Sequence, residues 1–91
     1  FTLWTDVLQY LGEFDTAIEI LLEASNVLPD EYEIEYRLAG LYFLMDDVTK
    51  GNLHLINGMK LEPKHLSLFQ ELFPVVWERT EVQKTIMKFK K

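Results

Sequence analysis

The sequence predicts an all-α protein of about six helices, arranged as antiparallel helix-turn-helix repeats. Three observations lead to this prediction. Apolar residues recur every three or four positions, as one face of a helix requires. Gly12, Pro29, Pro63 and Pro74 lie at the ends of most of these periodic segments. Similar residue classes return at a constant interval of roughly 34 residues, a length typical of repeats made from two helices.

Length and composition limit the protein to one small domain. The chain has 91 residues, of which 48% are hydrophobic, and this is enough for a single core. Without cysteine there is no disulfide, thiolate zinc site or cysteine nucleophile. No apolar run approaches the roughly 20 residues of a membrane span, so we expect no membrane partner. Because the chain begins at Phe1, we expect a fragment of a longer protein, with a cytoplasmic location slightly favoured.

The net charge of −6 is distributed unevenly along the chain. Residues 1–47 contain eleven acidic residues and a single basic one, Arg37. Residues 48–91 contain eight basic and four acidic residues. The acidic part would repel phosphates, and the basic part is too small for a phosphate track, so we expect no nucleic-acid partner.

Two helices are predicted before Pro29. The first has an apolar face and ends at Gly12, because glycine adopts the left-handed conformation at little cost. That face consists of Phe1, Trp4, Leu8 and Leu11. Asp15 is predicted to cap the second helix, whose apolar stripe runs through residues 17–24 before Pro29 ends it.

Two further helices are predicted before Pro63. Asp30 and Glu33 have the spacing of a capping box at the start of the third helix. Asp46 or Asp47 is predicted to begin the fourth helix, which ends before Pro63. His54 is expected to be structural or on the surface, because Gly58 and no acid or histidine stands four residues further on to make a metal pair. His65 follows Pro63 and Lys64 at a helix start and is expected to be solvated.

The last segment begins a third unit and then departs from it. Residues 65–73 are predicted to be helical, and Pro74 is expected to end or kink that helix. Thr80 and Gln83 have capping-box spacing for a closing helix. Its predicted apolar face is Val82, Ile86, Met87 and Phe89. Lysines near its end suit the negative end of the helix dipole.

A constant shift of 34 positions relates the first pair of predicted helices to the second pair. It carries Trp4 onto Leu38, and Pro29 onto Pro63. Ala17 and Ala24 lie two helical turns apart, and Gly51 and Gly58 repeat that spacing. Small residues two turns apart on one face let neighbouring helices approach closely, and this predicts tight packing within each pair.

These positions resemble the tetratricopeptide repeat family, whose pattern extends over about 34 residues and closes with proline. Thr5 and Glu35 depart from the family's usual glycine and tryptophan. The resemblance implies a short right-handed α-solenoid from the C-terminal portion of a longer repeat protein. Its units would be residues 1–29, residues 30–63, and a divergent closing segment at residues 64–91. The implied repeat-packing residues are Trp4, Ala17, Ala24, Pro29, Leu38, Tyr42, Gly51, Gly58 and Pro63.

The resemblance also implies a non-enzymatic module for protein–protein interaction. The residues that match the family's concave groove are Asp6, Gln9, Tyr10, Glu33, Tyr36, Gly40 and Phe43. Such an acidic and aromatic lining would bind a peptide or helix with a hydrophobic anchor flanked by basic residues. Alternatively, Tyr36 and Phe43 pack against an adjoining helix.

A second functional hypothesis is a structural spacer or self-association segment. In this interpretation Phe1, Leu3 and Trp4 are uncovered, and the first helix docks on another chain. An enzyme is not expected, since the sequence contains no phosphate loop, metalloprotease motif or nucleophile elbow. Asp46 and Asp47 are expected to stabilise a helix start, so neither a metal nor a cofactor is predicted.

Overall fold

Helices make up nearly all of the chain that the structure describes. The structure is a computed structural model that describes the backbone of residues 2–90 and the side chains of residues 4–90. Within residues 2–90 there are seven α-helices and no strand. They are α1 (Thr2–Tyr10), α2 (Phe14–Val27), α3 (Tyr32–Leu44), α4 (Val48–Leu61), α5 (Leu66–Leu72), α6 (Pro74–Trp77) and α7 (Thr80–Lys90). The all-α prediction is confirmed.

The helix count differs from the predicted six because of Pro74. The proline lacks an amide hydrogen, so α5 ends at Leu72 and Pro74 occupies the first turn of the short helix α6. A 3-10 turn at Pro63–His65 joins α4 to α5. The segment from residue 63 to residue 79 therefore consists of a 3-10 turn and two short helices instead of one regular helix.

Glycine and proline end the helices where the sequence predicts. Gly12 has a φ of +80°, and the adjoining Glu13 amide donates to the Leu8 carbonyl over 2.8 Å. This left-handed residue closes the C-terminus of α1. Helices α2 and α4 each end two residues before a proline, Pro29 and Pro63 respectively.

Two of the predicted caps are wrong. The residue before α2 is Glu13 and the residue before α3 is Glu31, and neither makes a side-chain cap bond. Asp15 instead lies in the first turn of α2, where the positive end of the helix dipole stabilises its negative charge. Asp47 does cap α4, accepting a hydrogen bond from the Lys50 amide at 3.2 Å.

Helix α3 lies at the centre of the molecule. It contacts α2 on one side and α4, α5 and α6 on others, so nearly every side chain from Ile34 to Phe43 is buried. Against α4 the contact is close because α4 presents glycine. A Cβ on Gly58 would stand 2.7 Å from Tyr36 Cε1, and one on Gly51 would stand 2.9 Å from Phe43 Cδ2. The predicted close packing through these glycines is confirmed.

The other implied repeat-packing residues occupy different environments. Ala17 and Leu38 are fully buried, whereas Ala24 and Tyr42 are half-buried. Pro29 and Pro63 are exposed at the turns. Trp4 is 62% exposed, so within residues 4–90 it does not pack as the resemblance implies. Phe1 and the side chain of Leu3 lie outside the described residues.

The closing helix α7 packs on α4 through half of its predicted apolar face. Val82 and Ile86 are buried, whereas Met87 is 64% exposed. Phe89 is 36% exposed and borders a cavity together with Asn52 and Ile56 of α4. The predicted capping box is also wrong, since Gln83 Nε2 donates to the Trp77 carbonyl over 2.6 Å. None of the helices within residues 2–90 is long and apolar enough to cross a membrane.

Candidate functional site

Three of the predicted groove residues lie in the interior. Tyr36, Gly40 and Phe43 are buried, with Tyr36 over Gly58 and Phe43 over Gly51. The ring of Phe73 lies directly on Gly40, where it occupies the space that a Cβ would need. The groove assignment of these three is corrected, because α4 and the segment before α6 cover the side of α3 that would line it.

The two acidic groove candidates share one buried cation. Arg37 Nη1 donates to Asp6 Oδ1 at 2.6 Å, and Arg37 Nε donates to Glu33 Oε2 at 3.1 Å. The guanidinium is only 4% exposed and joins α1 to α3. These acids therefore compensate an internal arginine, and they do not present two uncompensated charges to a basic ligand.

The remaining groove candidates, Gln9 and Tyr10, are consecutive residues of α1 that differ in their surroundings. Gln9 borders a small cavity of about 150 Å³ beside α5 and α6. Tyr10 is 90% exposed on the far side of α1. The seven predicted residues therefore do not form one surface.

An acidic and aromatic groove does exist, between α2 and α4. At one end it opens into a cavity of about 470 Å³, whose floor is Tyr42 of α3. The cavity is bordered by Asp15, Ile18, Glu19, Tyr42, Met45, Asp47 and Lys50. Three carboxylates, one aromatic ring and two aliphatic side chains thus surround the same space, together with one lysine. We call this surface the α2–α4 groove.

A second cavity of about 280 Å³ lies two turns further along α3. It is bordered by Pro29, Asp30, Glu35, Asn57, Lys60 and Leu61. Glu35 and Tyr42 are two helical turns apart on α3, a separation of about 10 Å. His54 connects them, since its ring stacks on Tyr42 at 5.5 Å between centroids and its Nδ1 lies 3.2 Å from Glu35 Oε1. His54 therefore links one residue at the edge of each cavity.

The hydrogen bonds of Glu35 keep its carboxyl group negatively charged. Burial by itself raises the pKa of Glu35, but the hydrogen bonds from His54 and Asn57, together with the His54 charge, outweigh it. The pKa of this carboxyl therefore lies below its ordinary value. Asn57 Nδ2 donates to Oε1 at 2.9 Å, the same oxygen that faces His54. Glu35 is thus ionised at neutral pH beside the second cavity.

The chemistry of the groove is suited to holding a cationic group. His54 is a structural contact, as expected, while His65 stacks on Tyr32 at 4.7 Å and stays exposed. Among residues 4–90, no group of three or more histidine or acidic side chains is arranged to hold a metal ion. What the groove offers is a set of carboxylates, which attract ammonium or guanidinium groups, around an aromatic ring that already has Lys50 Nζ 5.6 Å from its centroid.

A separate apolar surface lies on the outside of α1. It consists of Trp4, Val7, Tyr10 and Leu11, each 40% exposed or more, and we call it the α1 face. The only extensive contact of α1 within residues 2–90 is with α2. Exposed aromatic and aliphatic side chains clustered on one helix are typical of docking surfaces.

The chain was compared with protein-family models, with curated proteins and with solved structures, and none of these comparisons found a match.

Sequence reasoning missed the acidic wall of the α2–α4 groove. Asp15 and Asp47 were interpreted only as caps, although Asp15 and Glu19 are one helical turn apart and therefore share one face of α2. That spacing was a usable signal for a charged wall. Its counterpart, the Tyr42 ring on α3, could not be found from sequence, because only the packing of α3 between α2 and α4 brings it there.

Proposed function

We propose that this chain is a non-enzymatic protein-interaction module that binds a basic segment of another protein in the α2–α4 groove. The observation that carries the proposal is the cavity in which the ring of Tyr42 lies among Asp15, Glu19 and Asp47. The resemblance to tetratricopeptide repeats supports it, and we propose the matching architecture, a short right-handed α-solenoid with a divergent closing segment. The binding surface, however, differs from the one that the resemblance implies.

The charges of the groove favour a positively charged ligand. The two cavities are bordered by five carboxylates and by two lysines. Opposite charge selects the sign of a partner and accelerates its encounter, while like charge rejects others. A segment carrying lysine or arginine at several positions therefore fits this surface, and an acidic segment does not.

The apolar part of the groove provides a place for one hydrophobic anchor. Ile18 and Met45 border the larger cavity beside Tyr42, whose ring is stacked on His54 and has Lys50 Nζ 5.6 Å from its centroid. A ring that is held in place before binding loses little side-chain freedom when the ligand arrives. One leucine- or methionine-sized residue between basic residues is the expected ligand pattern.

The experiment is a binding titration with a defined peptide. A labelled heptapeptide with one leucine between lysines is compared with the same peptide carrying glutamates, by fluorescence anisotropy. We expect binding of the lysine peptide only, with an affinity that falls as salt is added. Glu19→Lys should weaken binding by about fivefold or more, since each exposed ion pair contributes up to roughly 1 kcal/mol and reversal adds repulsion.

Glu23→Lys is the matched control for that variant. Glu23 is exposed on the same helix but borders neither cavity. The Glu23→Lys substitution therefore changes the net charge of the protein by the same amount as Glu19→Lys without changing the groove. Equal losses in Glu19→Lys and Glu23→Lys would show that only the overall charge of the protein attracts the peptide. Equal binding of the lysine and glutamate peptides would exclude the α2–α4 groove as a site selective for basic segments.

A further inference from the structure

The α1 face is exposed, although the residues at the equivalent repeat positions of α3 are buried. The shift that carries Trp4 onto Leu38 also carries Val7 onto Leu41. Leu38 and Leu41 are buried within the core, whereas Trp4 and Val7 are exposed. Thus α1 has the residue types of a buried helix but only α2 as an extensive neighbour within residues 2–90. The residues of the α1 face are therefore of the apolar types that another helix covers elsewhere in this protein.

A second exposed surface lies at the opposite end of the chain, on α7. Met87 is 64% exposed, and Lys84, Lys88 and Lys90 are exposed around it. The acid of this helix, Glu81, lies 3.7 Å from Arg79 Nη1, so its charge is compensated locally. We call Lys84, Met87, Lys88 and Lys90 the α7 face. It combines an apolar centre with a cationic surround.

The two surfaces are complementary in charge. No lysine, arginine or histidine occurs before Arg37, and the residues from Thr2 to Val27 include five acids. Of these, Asp6 is paired with Arg37, and the other four are exposed. The α1 face therefore lies in an uncompensated negative field, while the α7 face is positive. Opposite fields on two apolar patches favour their contact.

We propose that copies of this chain associate head to tail, with the α1 face of one copy on the α7 face of the next. The lengths agree, since α1 and α7 extend over about 14 and 16 Å. A two-fold contact of α1 with α1 would oppose two acidic surfaces, and one of α7 with α7 would oppose two lysine clusters. A head-to-tail contact leaves one free face at each end, so assembly continues beyond the dimer unless a ring closes.

The first test measures mass against concentration. Sedimentation equilibrium of the whole chain should show a mass that rises past the dimer with concentration, and that falls towards the monomer in high salt. Lys84→Glu should weaken association by about tenfold, because it places an acid against the acidic α1 surroundings. Lys64→Glu is the matched control, since Lys64 is exposed on the 3-10 turn outside both faces. A monomer at every concentration overturns the proposal, as does equal weakening by the two variants.

The second test uses the absence of cysteine from the chain. Proteins with Leu11→Cys and Met87→Cys are mixed and treated with a short thiol cross-linker. With equal amounts of the two proteins, random collision already gives twice as much mixed product as either like-with-like product. Head-to-tail association predicts a mixed product well above that ratio. Ser67→Cys, at an exposed position on α5, gives the level of random collision. Predominant Leu11→Cys homodimers would mean a two-fold contact and would overturn the proposal.

These outcomes are separable from those for the α2–α4 groove. Neither face contains a residue that borders its two cavities. A protein that binds the lysine peptide yet stays monomeric therefore refutes head-to-tail association alone. One that assembles head to tail but does not bind the peptide refutes the groove proposal alone.

Discussion

Tyr36 lies directly over Gly58, and its hydroxyl donates to the carbonyl of Glu62 over 3.0 Å. The ring thus occupies the space in which a Cβ on residue 58 would lie, and the hydrogen bond one turn later holds the ring there. Tyr36 is fully buried, so it has no free volume into which to retreat. This relationship sets the distance between α3 and α4.

Gly58→Ala should therefore destabilise the protein. Helix propensity alone would raise the free energy of unfolding by about 1 kcal/mol. Overpacking against a fixed ring costs about 1–3 kcal/mol, and we expect a net loss. Urea denaturation checks this, with Thr49→Ala on the exposed side of α4 as the control. A Gly58→Ala protein as stable as the control would show that the two helices can separate freely.

Arg37→Met should destabilise the contact between α1 and α3. The arginine is buried and bonds to Asp6 and Glu33, so its removal leaves two neighbouring carboxylates without their shared cation. Because both carboxylates are partly exposed, we expect a loss of about 1–3 kcal/mol in the free energy of unfolding. Arg37→Lys should recover little, since an ammonium cannot bond both acids in the fork geometry.

Arg79→Met is the control for that prediction. Arg79 also pairs with two acids, Asp46 and Glu81, but Asp46 is largely exposed and the network is screened by water. Arg79→Met should therefore lower the free energy of unfolding by less than about 1 kcal/mol. If the two arginine variants were equally stable, the buried ion pairs would contribute no more than the surface ones.

Glu35→Gln should flatten the acid side of the stability profile. The pKa of Glu35 is lowered in the folded protein, so its contribution is present above the unfolded carboxyl pKa of about 4.3 and is lost as pH falls through the lower folded value. The difference in unfolding free energy between wild type and Glu35→Gln should thus shrink from pH 6 towards pH 3. Glu71→Gln, at an exposed position on α5, is the control and should leave the profile unchanged. Parallel curves for wild type and Glu35→Gln would contradict the prediction.

Tyr36 should ionise well above the ordinary pKa of a tyrosine. Burial, followed by the charges of Glu62 and Tyr32, raises the pKa of Tyr36 to about 12. The protonated form is favoured by the fold, so this stabilisation is complete below about pH 10 and is lost as pH rises through 12. Phenolate absorbance should show a late step that Tyr36→Phe removes and that Tyr10→Phe retains. A titration in which both variants lose the same step would contradict this.

Much of the local structure follows from single residues in the sequence. Gly12, Pro29 and Pro63 end helices because their backbone chemistry limits conformation regardless of surroundings. Gly51 and Gly58 indicated close packing because their spacing matches two helical turns. The predicted caps at Asp15 and Asp30 are wrong, because α2 begins after Glu13 and α3 after Glu31, and neither of these side chains bonds to the first turn. An acid near a helix start does not by itself determine where the helix begins.

The candidate site was less predictable. Tyr36 and Phe43 match positions that line a groove in the family that the sequence resembles. Whether these side chains are exposed depends, however, on what packs over α3. Here Gly58 and Gly51 of α4 bring that helix against them. Met87 shows the reverse case: it is apolar, yet it remains 64% exposed because the contact of α7 with α4 buries Val82 and Ile86 and does not cover Met87.

The sequence by itself determined an all-helical chain, most of its helix ends and its division into an acidic and a basic part. These properties depend on neighbouring residues along the chain, where hydrogen bonds reach only four positions. The tertiary structure alone decided which side chains are accessible. It buried Arg37 between Asp6 and Glu33, and it placed Tyr42 among the acids of α2. Accessibility depends on the angle and distance at which helices pack, and these arise from contacts between residues that are distant in sequence.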